Sequence, residues 1–190
     1  MRLSAGTGRW VALLVGAGLF LAGCVGSPAG VYPVQDFQLE RYLGTWYSVK
    51  RLDHSFERDL TDVTATYRVR DDGRVDVINR GLRPEACEWR EATAVARFQG
   101  RPEVASLSVT FVWPFAGGYH VIALDHDDYA WALVSGPTRG YLWILARDPL
   151  LDQAIIDELV AYAASLGFPA DRLMRVSHGD SDCPPPSASG

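Results

Sequence analysis

The sequence predicts an all-β fold of eight short strands in chain order, with one helix packed outside them. Three observations carry this. Between positions 45 and 147, apolar segments of strand length alternate with turn signals. No helix-length segment interrupts them, and one helical periodicity follows the last of them. Strands joined in this way close as an up-and-down barrel or pack as a sandwich.

The strand segments are 45–52, 62–69, 74–79, 92–98, 106–113, 119–124, 129–135 and 141–147. Between them lie Asp71-Asp72-Gly73, Gly100-Arg101-Pro102, the stretch 114–118, the acidic run 125–128 and the stretch 136–140. Asp72-Gly73 is a tight hairpin signal, because glycine supplies the positive φ that such turns need. Val63, Ala65, Tyr67 and Val69 share one strand face, and Asp62, Thr64, Thr66 and Arg68 share the other. Leu107, Val109, Phe111 and Trp113 likewise face away from Ser106, Ser108, Thr110 and Val112. Such strands have one apolar and one wet face.

Segments 129–134 and 141–146 are apolar on both faces, so their outer side needs a cover. The stretch 152–166 supplies it. Ile155, Leu159, Tyr162 and Leu166 form a helical stripe flanked by Ile156, Val160 and Ala163. Asp148 and Asp152 are N-cap candidates, and Gly167-Phe168-Pro169 stops the helix. Positions 173–176 add a short final strand.

Ahead of the strands, residues 1–23 read as a secretory signal peptide. Arg2 and Arg9 give a positive start, and 10–21 is apolar but too short to span a bilayer. Residues 25–36 are rich in Gly, Ser and Pro without periodicity and read as a tether. The domain then runs over 37–178 and a tail over 179–190.

The 190 residues suit one domain, and 48% hydrophobic content places the chain among globular proteins. Six Trp, eight Tyr and seven Phe can fill a core or line an apolar cavity. Two of the 18 basic residues, Arg2 and Arg9, precede Cys24 and no acid does, which leaves 16 against 23 acidic residues. With no basic patch, neither nucleic acid nor charge-driven binding to anionic lipid is expected.

Catalytic and metal motifs are absent. His54, His120, His126 and His178 lie in different segments with no His-x-x-x-His or Cys-x-x-Cys spacing, so no metal site is expected. Asp125-His126-Asp127-Asp128 lacks the glycine and terminal Glu of a calcium loop and reads as a solvated turn. There is no Gly-x-Ser-x-Gly, His-Glu-x-x-His or P-loop, and no cofactor is implied.

Several motifs carry a resemblance. Gly44-Thr45-Trp46-Tyr47 resembles the first lipocalin signature, Asp128-Tyr129 the second, and Arg147, ending Tyr-Leu-Trp-Ile-Leu-Ala-Arg, the third. Asp127 stands where the second signature has Thr. Asn79-Arg80-Gly81, the stretch 117–125 and Leu133-Val134-Ser135-Gly136-Pro137 resemble the bacterial, apolipoprotein D-like branch of that family. Leu21-Ala22-Gly23-Cys24 resembles the lipobox of bacterial lipoproteins. In those proteins the peptide is cut before the cysteine, which then carries fatty acyl groups such as palmitate. More than one acyl chain suffices for stable anchoring. Val25, where inner-membrane lipoproteins often have Asp, favours the outer membrane, with its periplasmic side preferred.

The resemblance implies an eight-stranded antiparallel up-and-down barrel with one C-terminal helix outside. A barrel of that size has room for one small ligand. Gly44, Trp46 and Arg147 become structural, with the guanidinium over the indole at the closed end. Two thiols, Cys87 and Cys183, remain in an oxidising compartment, and lipocalins often staple this region to the tail, so a disulfide is expected.

Alternation counted from the signatures points Tyr67, Phe98, Leu107, Val109, Phe111, Trp131, Tyr141 and Trp143 inward as ligand-binding residues. Ser48, Lys50 and tyrosine hydroxyls then supply polar contacts. The implied ligand is a fatty acid or lysophospholipid, held for lipid storage or transport in membrane maintenance. The other readings are an isomerase-type enzyme using Cys87 and a structural lipoprotein with a filled barrel. A homodimer is left open.

Overall fold

The computed structural model describes residues 25–185. In chain order the elements are α1 (Leu39–Tyr42), β1 (Gly44–Arg51), β2 (Thr61–Val69), β3 (Val75–Arg83), β4 (Glu88–Phe98), β5 (Ser106–Val112), β6 (Phe115–Leu124), β7 (Trp131–Ser135), β8 (Leu142–Ala146), α2 (Gln153–Ser165) and β9 (Met174–Arg175). Each strand from β1 to β8 pairs antiparallel with the next, and β8 pairs back to β1. The eight strands therefore close as an up-and-down barrel rather than a sandwich. β9 adds beside β1.

Burial falls into two clusters, one on each side of the barrel wall. Trp46, Tyr67, Leu107, Val121, Val134 and Leu145 point inward with Phe37 and Tyr42. Val49, Ile122, Leu133 and Ile144 point outward and pack under Ile156, Leu159, Ala163 and Phe168. The strands that read as apolar on both faces are thus the ones α2 covers. Asp152 caps α2 by accepting from the Ala154 N–H at 2.8 Å, while Asp148 caps the preceding turn through the Leu150 N–H. Gly167, at φ +80°, ends the helix in the left-handed region that favours glycine.

Three expectations are corrected. Residues 25–36 do not run free as a tether. Val31 is buried in the outer cluster, the Val34 N–H donates to the Val121 carbonyl, and the Ala105 N–H donates to Val34. The segment lacks periodicity because it docks through single residues. The stretch 114–118 is not a turn, because β6 begins at Phe115 and only Trp113-Pro114 separates it from β5. β3 and β4 extend beyond 79 and start before 92, their polar ends paired with each other, as in the Arg80–Glu91 ion pair.

The closed end and the open end follow from the strand directions. Gly44 of β1 lies opposite Tyr67 of β2, so the β2–β3, β4–β5 and β6–β7 connections sit at the closed end with α1. The β1–β2, β3–β4, β5–β6 and β7–β8 connections sit at the open end.

Candidate functional site

The barrel encloses a cavity of about 470 Å³ that opens between the β1–β2, β5–β6 and β7–β8 connections. Its volume lies within the usual range of roughly 300–1,000 Å³ for ligand pockets. Val63, Ala65, Val77, Val109, Val134 and Leu145 form the walls. Tyr67 and Tyr119 form the floor, where the Tyr119 hydroxyl lies 2.7 Å from those of Tyr67 and Tyr42. Burial raises the pKa of all three phenols, so they stay neutral at physiological pH. At the mouth stand Phe56, Phe111, Tyr141 and Trp143.

The inward set is partly redistributed. Tyr67, Val109, Phe111, Tyr141 and Trp143 line the cavity. Phe98 and Leu107 lie opposite each other and also point inward, but below the cavity, where the Phe98 ring meets Phe37 with centroids 6.2 Å apart. Trp131 points outward into the cluster under α2. Both faces of β7 are apolar, so alternation there held no information about which face is inner.

Lys50 is also on the outside. Ser48 pairs with Leu145, which faces inward, whereas Lys50 pairs with Ile144, which faces outward. A bulge between Ser48 and Lys50 absorbs one residue and reverses the alternation. The same bulge turns Arg51 inward, opposite Trp143. Ser48 does face the cavity, and its buried Oγ has no hydrogen-bond partner among the described residues.

The bulge creates the charged part of the site. Arg51 is 2% exposed. Its Nη2 donates to the Glu57 carbonyl at 2.6 Å, and its Nε lies 3.4 Å from Glu57 Oε2. Trp143 Nε1 donates to the same carboxylate oxygen at 3.3 Å. Burial nevertheless pushes the Glu57 carboxyl up to about 6, against the pull of Arg51. His54, beside it, is pushed down to about 4 by burial and then by Arg51, and is neutral at pH 7. Glu57 is thus a carboxyl at the cavity mouth that changes charge just below neutrality.

A family model described as a lipocalin-like domain matches residues 37–178. The outer membrane lipoprotein Blc of Vibrio cholerae is 47% identical over 163 residues, covering 86% of this chain and 95% of its own. Blc of Escherichia coli K12 is 48% identical over 149 residues, covering 78% and 84%. Apolipoprotein D of Cavia porcellus is 35% identical over 137 residues, covering 67% and 70%. The chain is a lipocalin. Among solved structures, insecticyanin of Manduca sexta shares the fold at TM-score 0.66 and 18% identity, covering 84% of this chain and 90% of that one.

The lipocalin signatures meet at the closed end. Arg147 Cζ sits 4.0 Å from the Trp46 ring centroid. The guanidinium donates to the Thr45, Arg41 and Leu43 carbonyls at 2.8–2.9 Å. Gly44 has φ +91°, and a side chain there would approach Arg147 Nη1. Asp125 of the acidic run accepts from the backbone N–H groups of Asp127, Asp128 and Ala130, which makes the run a capped turn.

Cys87 and Cys183 form a disulfide, 96 residues apart in sequence. The Cys87 sulfur is therefore not a thiolate, which removes the nucleophile of the isomerase reading. The open cavity likewise removes the filled-barrel reading. Cys24 and the signal segment lie outside the described residues.

Sequence reasoning missed Phe56, Glu57, Arg51, Val77 and Tyr119. Val77 and Tyr119 were legible by alternation in β3 and β6. Phe56 and Glu57 reach the mouth from an irregular loop, for which no periodicity exists.

Proposed function

We propose that this lipocalin holds a single-chain amphiphile, a fatty acid or a lysophospholipid, with its tail on the tyrosine floor and its headgroup at the mouth. The observation that carries the reading is a largely apolar cavity, open at one end, with Glu57 and Ser48 among its polar lining groups and neutral tyrosine hydroxyls at its floor. Burying an acyl chain contributes roughly 0.8 kcal/mol per CH₂, and the buried, unpartnered Ser48 Oγ is a ready hydrogen-bonding group for a head. No bond is made or broken; the protein stores or carries lipid. Relatives named outer membrane lipoproteins support acylation at Cys24 and, with it, a mooring at the outer membrane. The mooring we propose is on its periplasmic side. Native mass spectrometry of the protein, extracted from membranes in mild detergent, tests the reading. A co-purified lipid of one acyl chain is expected; an empty barrel in every charge state would refute it.

A further inference from the structure

The cavity floor holds more hydrogen-bond donors than it uses. Tyr42 of α1, Tyr67 of β2 and Tyr119 of β6 meet there, and the Tyr119 hydroxyl lies 2.7 Å from each of the other two. The three hydroxyls make no other hydrogen bond among the described residues. Each phenol brings one proton, and each contact holds one. Two contacts hold two protons, so the third O–H has no acceptor. Tyr119 cannot donate both ways, which leaves three arrangements, with the spare donor on Tyr67, on Tyr119 or on Tyr42. Tyr67 and Tyr119 line the cavity, so two of the three present that donor to whatever the cavity holds. Tyr42 is 2% exposed and Tyr67 6%, and a donor so deeply buried is costly to leave unpaired.

The surroundings select the kind of acceptor. The rings are packed on one another, with centroids 5.3 Å apart for Tyr42 and Tyr67 and 6.0 Å for Tyr67 and Tyr119, so the three oxygens are held in place. Among the described residues, no Lys or Arg lines the cavity. Burial raises the pKa of all three phenols, and for Tyr42 and Tyr67 it does so against the pull of Arg147. A floor that disfavours a phenolate disfavours a carboxylate for the same reason, whereas a neutral oxygen meets no such penalty. Water can accept from the spare O–H while the cavity is open to it. A plain alkyl tail that reaches the floor expels that water and sets a methyl group in its place, which loses the bond.

We propose that the tyrosine floor is an oxygen-recognising subsite, and that the amphiphile it suits carries a neutral acceptor, a hydroxyl or keto oxygen, at the far end of its chain. This rests on the orientation given above, with the head at the mouth and the tail on the floor. The walls then supply apolar burial, and the floor distinguishes an oxygenated tail from a plain one.

Calorimetric titration of the full chain with laurate and with ω-hydroxylaurate tests the proposal. Phe111 at the mouth and Leu107, the β5 partner of Tyr119, are about 13 Å apart along the strand, a distance that a chain of this length spans. On an apolar floor the terminal hydroxyl would be buried without a partner, and the hydroxylated ligand would bind roughly tenfold or more below laurate. On this floor the two should bind within about threefold of each other. Tyr67→Phe combined with Tyr119→Phe keeps both rings and removes both cavity hydroxyls. In that protein the ratio of ω-hydroxylaurate to laurate affinity should fall about tenfold. A tenfold deficit of ω-hydroxylaurate in the wild type overturns the subsite and leaves the amphiphile reading standing, with no variant required to fold. An unchanged ratio in the folded double variant also overturns the subsite alone. Binding of neither ligand to the wild type overturns both. A double variant that loses more affinity for laurate than for ω-hydroxylaurate puts a carboxyl on the floor, and overturns the subsite together with the head-at-mouth orientation.

Discussion

The two ends of the barrel use similar residues for opposite ends. At the closed end a buried indole, Trp46, lies under a guanidinium that makes three hydrogen bonds to backbone carbonyls, and Trp46 Nε1 itself donates to the Tyr42 carbonyl at 2.8 Å. At the open end the indole of Trp143 and the guanidinium of Arg51 share one carboxylate, while Ser48 Oγ and both ring nitrogens of His54 are buried without a hydrogen-bond partner among the described residues. Satisfied polar groups hold a fold together, whereas unsatisfied ones are kept only where something else uses them. The comparison assigns stability to one end and ligand recognition to the other.

The largest effect expected is at the closed end. Trp46→Ala should cost about 3–5 kcal/mol by urea unfolding, since it empties a fully buried site and leaves Arg147 without its ring. Removing the disulfide by Cys87→Ser with Cys183→Ser should cost about 2–5 kcal/mol, because the bridge closes a long loop. That bond lies at the open end, so a loss exceeding that of Trp46→Ala would break the division of labour.

Glu57 sharpens it further. Its neutral form favours the fold, a contribution complete below pH 4.5 and lost as pH rises through about 6. His54 runs the other way: its contribution is complete above pH 6.5 and lost as pH falls through about 4. In the wild type the two oppose each other on acidification. Glu57→Gln removes the gain and leaves the loss, so between pH 7 and pH 4.5 the variant should lose about 2 kcal/mol more than the wild type. Equal losses in paired urea titrations would show that Glu57 is not held out of water.

Much of this was legible in the sequence because the physics is local. Period-two alternation in β2 and β5 set their inner faces, the 3.6 period of α2 showed which face it buries, and a glycine at 167 marked where it stops. The misreadings share a cause. Trp131 sits on a strand with no wet face, so burial on both sides erased the phase. Lys50 follows a bulge, and one inserted residue reverses every side chain after it. Phe98 and Leu107 point inward as alternation requires, but depth along the barrel depends on how far each strand is staggered, which is a property of the closed sheet. Arg51 and Glu57, the charged pair of the site, were hidden twice, by the bulge and by an irregular loop.

The smallest effect on the fold should accompany the largest effect on the ligand. Gly117 lines the cavity opposite Val109, and a Cβ built there meets nothing within 4 Å. Gly117→Trp therefore starts its side chain into ligand space from an unobstructed Cβ position, and a strand tolerates tryptophan better than glycine. Displacing as little as two methylenes at about 0.8 kcal/mol each costs about tenfold in affinity. The decisive measurement is calorimetric titration of this variant with a lysophospholipid, beside its urea midpoint. At least a tenfold loss of affinity with an unchanged or higher midpoint is expected. Wild-type affinity in a folded Gly117→Trp protein would contradict the account.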